Sequence, residues 1–232
     1  MFIDFFQLYK PPYQKKRVGK DNDGGYIICD IPNIQYDMLL SAGICDDISF
    51  EEHFLDIYPG VPCLAFDGTI SQFPKTQKPI QYIPKNIGLN SSSTETTLLE
   101  YILHGHTIFL KMDIEGAEVP WFASLPDDAL DRFAQITMEW HNPFYLLIEQ
   151  YAFSRLQHTH ILVHFHGNNC RDFETIEGVR VPYTFECTYI HKKYYTGEMI
   201  VNSECIPTSL DMPCDPLKPD LVIDYPPFVR KT

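Results

Sequence analysis

The sequence predicts an α/β protein with a mostly parallel sheet and helices on both faces. Two observations predict this class. Short apolar segments alternate along the chain with segments in which apolar residues recur at helical spacing. In addition, the chain has 232 residues, 44% of them hydrophobic and 21% charged, which is an ordinary composition for a globular domain of this length.

Seven apolar segments predict the strands of the sheet. Most of them end at a glycine or an acidic residue, where a buried strand would reach the surface. The predicted strands span residues 36–42, 62–66, 80–83, 107–112, 133–138, 160–165 and 181–190.

The remaining segments predict helices and an extended end. Ser49 and Glu52 match a capping box, in which the serine caps a helix and the glutamate bonds back to it. Asn142 and Pro143 predict the start of a later helix. Residues 206–227 are rich in proline and predict an extended segment laid on the body. We expect one domain, with a lid or hairpin at 1–35, the core sheet at 36–190 and the extended segment at 191–232.

Charge and cysteine content exclude several classes of function. Lys and Arg number 18 against 31 Asp and Glu, giving a net charge of −13 that disfavours nucleic acid and polyanionic partners. No apolar run is long enough to cross a bilayer, and residues 1–6 do not resemble a signal peptide. The seven cysteines form no C-x-x-C pair, which favours reduced thiols and a cytoplasmic location over disulfides or a zinc site.

Polar residues follow the predicted strands where ligands bind in parallel sheets. Such sheets bind ligands outside the carboxyl ends of their strands. The residues at these ends are Gly43, Asp46, Asp47, Ser49, Asp67, Asp113, Glu115, Glu118, Glu139, His141, His166, Gly167, Asn168 and Asn169.

The turn after the first strand is compatible with a nucleotide-like ligand. Gly43 allows close approach of the backbone, and Asp67 ends the next strand, where a carboxylate can accept hydrogen bonds from ribose. The turn lacks the G-x-G-x-x-G pattern, and its acids Asp46 and Asp47 would repel a pyrophosphate but suit a positively charged sulfonium. Taken alone, an ordinary strand–helix turn explains these residues as well.

The segment LKMDIEGAE at residues 110–118 resembles the signature of FkbM-type methyltransferases. LLSAGICDDISFE, AFDGT and TLLEYI, together with Ile87–Leu89, occur in the order that this family shows. DNDGGYI, EWH and VHFHGNN are similar to segments of its relatives, so that the resemblance spans residues 17–190.

The resemblance implies a class I methyltransferase, which has a Rossmann-like sheet of seven strands with the last antiparallel. It implies methyl transfer from S-adenosylmethionine to a hydroxyl of a carbohydrate or another small molecule. By position, Asp67 would bind the ribose, Ile87 and Gly88 would lie near the adenine, and Asp113 would separate cofactor and acceptor. The residues expected to bind the cofactor are Gly43, Asp47, Ser49, Asp67, Gly68, Ile87, Gly88, Asp113 and Glu115.

An alcohol acceptor must lose a proton during methyl transfer. We expect the catalytic residues to be Asp113, Glu139, His141 and His166, with a histidine as general base because its ordinary pKa of about 6.5 suits neutral pH. Alternatively, Asp113, Glu139 and either histidine could bind Mg²⁺ or Mn²⁺. A purely structural, hydrogen-bonded role for His141 also remains open.

Two further functions remain open at this stage. Asp21-Asn22-Asp23 is a D-x-D pattern, which in a glycosyltransferase would hold a metal ion against a nucleotide sugar. The single glycine of the first turn is compatible with a non-catalytic module of the methyltransferase fold. The sequence does not specify the oligomeric state.

Overall fold

The structure, a computed structural model, describes residues 1–144 and 147–231. Its strands are β1 (Tyr9–Lys10), β2 (Lys15–Val18), β3 (Tyr26–Cys29), β4 (Met38–Ala42), β5 (Cys63–Phe66), β6 (Ile80–Ile83), β7 (Asn86–Ile87), β8 (Glu95–Thr96), β9 (Ile108–Met112), β10 (Phe133–His141), β11 (His160–Gly167), β12 (Phe173–Ile176), β13 (Val179–Pro182), β14 (Thr184–His191) and β15 (Ile200–Val201). Its helices are α1 (Ser49–Ile57), α2 (Leu99–Ile102), α3 (Glu118–Ser124), α4 (Asp127–Leu130) and α5 (Leu147–Thr159), with 3₁₀ turns at Phe2–Phe6 and Lys192–Tyr194.

The predicted α/β class with a mostly parallel sheet is confirmed. In the described part of the chain, seven strands form the central sheet in the order β11-β14-β10-β9-β4-β5-β6. The strands from β10 to β6 are parallel to their neighbours, whereas β14 is antiparallel to both β10 and β11.

The strand order reverses between β4 and β9. From β4 the chain continues outward to β5 and β6, and it then returns to place β9 and β10 on the other side of β4. Connections that leave adjacent strands in opposite directions open a crevice at their carboxyl ends. The fold therefore provides a binding crevice beyond Ala42 and Met112.

Alternating side chains of the sheet pack into two cores. Leu40 of β4 packs in the cluster that contains Ile102 of α2 and Trp121 of α3. Leu39, its neighbour, packs on the other face with Phe54 of α1. Helices therefore cover both faces, as predicted.

A hairpin near the N-terminus covers part of the α1 face. Strands β2 and β3 pair antiparallel, and the side chain of Gln135 on β10 accepts the Cys29 N–H at 2.6 Å and donates to the Cys29 carbonyl at 3.1 Å. The predicted hairpin is confirmed, but seven residues, 19–25, connect its strands. It places Tyr26 beside the carboxyl ends of the sheet.

The C-terminal segment, residues 206–227, packs on the body, but the prediction that it is extended was wrong: it turns back on itself, and Ile206 pairs antiparallel with Ile223. Two of its acids meet buried histidines of β11: Asp211 lies 2.8 Å from Nε2 of His164, and Asp220 lies 3.0 Å from Nε2 of His166. Phe228 follows the segment and is fully buried against Phe165, at 4.5 Å between ring centroids. The end of the chain is therefore part of the core.

Two further local predictions were wrong. The predicted strand 181–190 is two strands, because Pro182 lacks an N–H and β13 pairs with β12 while β14 joins the central sheet. Ser49 does not form a capping box: Asp47 accepts its backbone N–H at 3.0 Å, and Glu52 instead accepts the Thr76 hydroxyl at 2.6 Å. Asp47, two residues before Ser49, thus accepts the N–H that Glu52 would accept in a capping box.

Among residues 1–144 and 147–231, no helix combines the length and the apolar character that a bilayer crossing requires.

Replacing Phe228 with alanine should destabilise the protein by about 3–5 kcal/mol, because it removes a fully buried ring from the core. Urea unfolding measures this loss. Leu217→Ala is the matched control, since Leu217 lies in the C-terminal segment with 93% of its surface exposed and should change stability by less than about 0.5 kcal/mol. Equal, small effects of both variants would show that the end of the chain does not contribute to the core.

Candidate functional site

A cavity of about 460 Å³ lies at the carboxyl ends of β4, β5 and β9. This position is the crevice where the strand order reverses, and the volume is in the range of small-molecule sites. Its walls combine acidic and apolar side chains. The lining residues are Gly43, Cys45, Phe66, Asp67, Thr69, Asn86, Ile87, Asp113, Ile114, Glu115 and Ala117.

Gly43 allows the ends of β4 and β9 to meet at the floor of this cavity. Its φ is +73°, and a Cβ atom there would lie 1.5 Å from the carbonyl oxygen of Asp113. The adjacent backbone is tied across the sheet, since the Asp113 N–H donates to the Ala42 carbonyl at 3.0 Å. Only glycine fits this position without moving the backbone of Asp113.

Lys111 binds the same turn from the buried side of the sheet. Its buried Nζ donates to the Gly43 carbonyl at 2.7 Å and lies 5.3 Å from the centre of the Tyr26 ring. Burial raises the pKa of the nearby Glu51 carboxyl, while the charge of Lys111 and a hydrogen bond from the Ser41 hydroxyl oppose that rise. This buried polar cluster fixes the position of Gly43.

Asp67 is held in the cavity wall by hydrogen bonds. It accepts the Thr69 N–H at 2.7 Å, the Thr69 hydroxyl at 2.6 Å and the Cys45 N–H at 2.9 Å. Burial alone would raise the pKa of Asp67, but these donors outweigh burial and lower it. Asp67 is therefore an ionised acceptor that also connects the turns after β4 and β5.

A smaller cavity of about 110 Å³ adjoins the first at Gly43, Cys45 and Asp113. Asp47 lines it and forms an ion pair with Lys20 at 3.1 Å. The hairpin therefore closes this side of the site through Lys20 and through the Tyr26 hydroxyl, which donates to Asp113 at 3.0 Å.

Four carboxylates surround His141. The Nδ1 atom donates to Oε1 of Glu118 at 3.0 Å, and Nε2 lies 3.4 Å from Glu115, 3.8 Å from Glu139 and 3.9 Å from Asp113. Glu118 is itself fixed, because the same oxygen accepts the N–H groups of residues 114 and 116 at 3.1 Å. Glu118 therefore orients the imidazole so that Nε2 faces Asp113 and Glu115 in the cavity wall.

These carboxylates control the protonation of the site. Burial alone would lower the pKa of His141, but the bond to Glu118 and the charges of Glu139 and Asp113 raise it to about 9. Burial, with Asp113 and Glu186, raises the pKa of Glu139, whereas the Asn168 amide and His141 oppose that rise. Because the folded pKa of His141 is above its unfolded value, its ion pairs stabilise the fold below about pH 6.5 and are lost as pH rises through about 9.

The surrounding carboxylates raise the pKa of His141, so its pKa is not the ordinary one that the sequence suggests, while its role as a general base stays a prediction. A raised pKa favours the protonated ring at neutral pH, and a protonated imidazole cannot accept another proton. The carboxylates around it are the cause, and the sequence places only Glu139 next to it.

Asp113, Glu139 and His141 come together as the sequence predicts. One potential ligand atom of each lies within 4.8 Å of the others, a spacing at which a metal ion could be held. Oδ1 of Asp113 is buried and lacks a hydrogen-bond partner among the described residues. Oε1 of Glu139 accepts the Asn168 amide at 2.6 Å, which orients the second oxygen of this carboxylate.

His166 lies on β11, which is separated from β10 and its Glu139 by strand β14. Its Nε2 donates to both carboxylate oxygens of Asp220, at 3.1 and 3.0 Å, and its Nδ1 lies 3.7 Å from Glu186. Burial alone would lower the pKa of His166, but these acids raise it to about 10. His166 is thus a charged partner of the C-terminal segment.

Sequence reasoning missed Glu186 and Asp220. Glu186 pairs across the strands with both Glu139 and His166, and a lone acid in an apolar strand was the available signal. Asp220 lies in the C-terminal segment, and nothing in the sequence indicates its partner.

The remaining predicted cofactor residues contact other parts of the chain. The Gly68 N–H donates to the Asn86 side chain at 3.0 Å, and the Gly88 N–H donates to the Thr96 carbonyl at 3.0 Å. The Ser49 hydroxyl accepts the Lys20 N–H at 3.1 Å. These three residues shape the loops around the cavity, whereas Gly43, Asp67, Ile87, Asp113 and Glu115 line it.

The D-x-D pattern lies in the connection of the N-terminal hairpin. Asn22 has a φ of +61° and donates its amide to the Pro213 carbonyl at 2.7 Å. Both Asp21 and Asp23 are exposed, and Asp23 also lines the smaller cavity.

Another cavity, of about 440 Å³, lies between α5 and the start of β11. Its lining includes Phe153 and His160, and His160 is the first residue of β11. The four carboxylates around His141 form an acidic cluster at the carboxyl ends of the strands. Because β11 runs in the same direction as β10, this cavity lies at the opposite, amino-terminal ends of these strands. We therefore place the candidate site at the carboxyl ends of the strands.

No protein-family model, curated protein or solved structure matches this chain.

Gly43→Ala should destabilise the protein by about 3–5 kcal/mol, because it adds a backbone clash with Asp113 to the strain of a left-handed residue. Gly60→Ala is a matched control: Gly60 has a φ of +87° and no atom within 4 Å of an added Cβ, so it should lose only about 1–2 kcal/mol. Urea unfolding of both variants separates clash from strain. Equal losses would show that β4 and β9 do not require glycine for their approach.

Proposed function

We propose that this protein is an S-adenosylmethionine-dependent O-methyltransferase related to the FkbM family, with a hydroxyl of a carbohydrate or another small molecule as acceptor. The observation that carries this proposal is the cavity of about 460 Å³ at the reversal of strand order, with Asp67, Asp113 and Glu115 in its wall. A crevice at this place in a parallel sheet is the usual ligand site of such folds.

The topology of the sheet supports the proposal. The resemblance of residues 110–118 to FkbM-type enzymes implies seven strands of which the last is antiparallel. In the central sheet the last strand along the chain, β14, is the antiparallel one, and it lies between β10 and β11. The LKMDIEGAE segment occupies β9 and the turn after it, beside Gly43.

The lining of the cavity suits this cofactor. S-adenosylmethionine supplies an electrophilic methyl group on a positively charged sulfur, linked to a ribose and a flat base. Asp67 is an ionised acceptor at the position where sheets of this kind bind ribose hydroxyls. Phe66 and Ile87 provide apolar wall for a base, and Asp113 and Glu115 provide negative charge near a sulfonium.

The residues beside Asp113 suit removal of a proton from an acceptor. A positive charge in the cavity disfavours the proton on His141, because Asp113 and Glu115 line the cavity and also flank Nε2. Once that proton is lost, Nδ1 still donates its hydrogen bond to Glu118, and the lone pair of Nε2 lies beside Asp113 and Glu115 in the cavity wall. In this arrangement His141 is the general base, and Glu118 is a positioning residue.

A divalent cation is the alternative means of activating the acceptor. Asp113, Glu139 and His141 would hold Mg²⁺ or Mn²⁺ through two carboxylates and one imidazole nitrogen. Such an ion, when bound, lowers the pKa of a hydroxyl that coordinates it. His141 would then be a ligand and could not act as the base.

Calorimetry should detect binding of S-adenosylmethionine, and incubation with a panel of monosaccharides and glycans should yield a methylated product. Binding without product on any acceptor would favour a non-catalytic module. Binding of a nucleotide sugar without binding of S-adenosylmethionine would favour a glycosyltransferase.

Exhaustive chelation tests whether a metal ion takes part. Full activity after chelation would exclude the metal-assisted version, and complete loss that Mg²⁺ or Mn²⁺ restores would support it.

Asp113→Asn and His141→Ala should each reduce turnover by about 10²- to 10⁴-fold, because they remove a charge at the site or the general base. His158→Ala is the control, since His158 is exposed on α5 and should leave turnover unchanged. Circular dichroism checks that each variant is folded. Unchanged turnover in both site variants would contradict the assigned roles while leaving the proposed family untested.

Binding of S-adenosylmethionine at pH 8 should release protons, because the free protein holds His141 protonated with a pKa of about 9 and the sulfonium lowers that pKa. S-adenosylhomocysteine is the matched ligand, since its sulfur is uncharged and should release fewer protons. Calorimetry in buffers of different ionisation enthalpy, with EDTA present, counts the protons. Equal counts for both ligands, or an unchanged difference in His141→Gln, would contradict this assignment.

A further inference from the structure

The fold brings together two cysteines that are 44 residues apart in the sequence. Sγ of Cys170, in the loop after β11, lies 3.5 Å from Sγ of Cys214, in the C-terminal segment. Cys170 is exposed and Cys214 is half-buried. Among the cysteines, all of which the structure describes, no other pair has sulfur atoms in hydrogen-bond contact.

Neighbouring hydrogen bonds hold both thiols in place. The residues next to the cysteines, Asn169 and Asp215, bond directly, since the Asp215 N–H donates to Asn169 Oδ1 at 2.8 Å and the Asn169 amide donates to the Asp215 carbonyl at 2.9 Å. On the other side of Cys214, the Pro213 carbonyl accepts the Asn22 amide at 2.7 Å. The side chains of Asn169 and Asn22 therefore hold the backbone on both sides of Cys214.

We propose that Cys170 and Cys214 form a reversible disulfide that fastens the C-terminal segment to the loop after β11. A disulfide needs the two sulfur atoms at about 2.05 Å, so they must approach by roughly 1.5 Å. Side-chain rotation and a small shift of an exposed loop supply such a movement. The proposal does not depend on the proposed methyltransferase function.

A small-molecule disulfide such as oxidised glutathione is the oxidant. The thiolate of exposed Cys170 attacks one sulfur of glutathione disulfide, forming a mixed disulfide and releasing one glutathione thiolate. Cys214 then attacks Sγ of Cys170, its proton passes to solvent or to the leaving thiolate, and the second glutathione departs. Two protein thiols are thus oxidised, and one glutathione disulfide is reduced to two glutathione molecules.

The disulfide would connect to the candidate site through Asn168. The Cys170 N–H donates to Asn168 Oδ1 at 2.9 Å, and the Asn168 amide donates to Glu139 at 2.6 Å. The C-terminal segment also supplies Asp220 to His166. Fastening this segment therefore fixes the groups that border the acidic cluster.

The test equilibrates the folded protein with mixtures of reduced and oxidised glutathione, quenches with acid, alkylates the free thiols and maps the peptides by mass spectrometry. Two of the seven thiols should be lost, and the peptides that carry Cys170 and Cys214 should be linked. The pair should oxidise at a glutathione ratio more reducing, on the order of tenfold or more, than in urea-unfolded protein, because the fold holds the thiols together.

Single serine variants separate the two steps. Cys214→Ser should accumulate a mixed disulfide of Cys170 with glutathione, whereas Cys170→Ser should form no linked peptide. Cys205→Ser is the matched control, since Cys205 is another exposed thiol of the same end of the chain and its loss should leave the linkage intact. Wild-type protein that stops at glutathionylated Cys170, links Cys170 between two chains or oxidises at the same ratio folded and unfolded would overturn the proposal.

Discussion

The candidate site depends on one close contact between neighbouring strands. Gly43 has no side chain, and the carbonyl oxygen of Asp113 occupies the place that a Cβ atom on residue 43 would need. Lys111 holds the Gly43 carbonyl from the buried side of the same turn. Because both contacts fix where the chain leaves β4 and β9, they also fix the floor of the cavity. The positions of Asp67 and Asp113 in its wall follow from this geometry.

Acidic side chains are concentrated at the carboxyl ends of the strands. Their mutual repulsion and burial are unfavourable, and this favours positively charged groups at the site. Glu139 and Glu186 face each other on adjacent strands, and burial raises the pKa of Glu139. Such a cluster is stabilised by protons, cationic side chains or a positively charged ligand. The pKa values of His141 and His166 are raised, which favours these rings as the source of that positive charge at neutral pH. A sulfonium cofactor or a divalent cation at this site would lower the pKa of His141. Release of its proton would therefore report binding of such a ligand.

The two ends of the chain border this acidic cluster. The N-terminal hairpin contributes Tyr26, whose hydroxyl bonds to Asp113, and the C-terminal segment contributes Asp220, which bonds to His166. The two ends also touch each other where Asn22 donates to the Pro213 carbonyl. The core sheet thus positions the acids, whereas the N-terminal hairpin and the C-terminal segment cover the sides of the site. A disulfide between Cys170 and Cys214 would act on this outer layer and leave the sheet itself unchanged.

The sequence by itself determined the order and type of the main strands and the acids at their ends, because hydrophobic periodicity and the polar residues that stop a buried strand are local properties. It brought Asp113, Glu139 and His141 to one place, since parallel strands end at the same edge of the sheet. Only the tertiary structure decided that β14 inserts between β10 and β11, that Glu118 orients His141, and that Asp220 pairs with His166. The meeting of Cys170 and Cys214 was equally hidden. These features depend on pairings between distant segments and on the pKa shifts that burial causes, which no local pattern encodes.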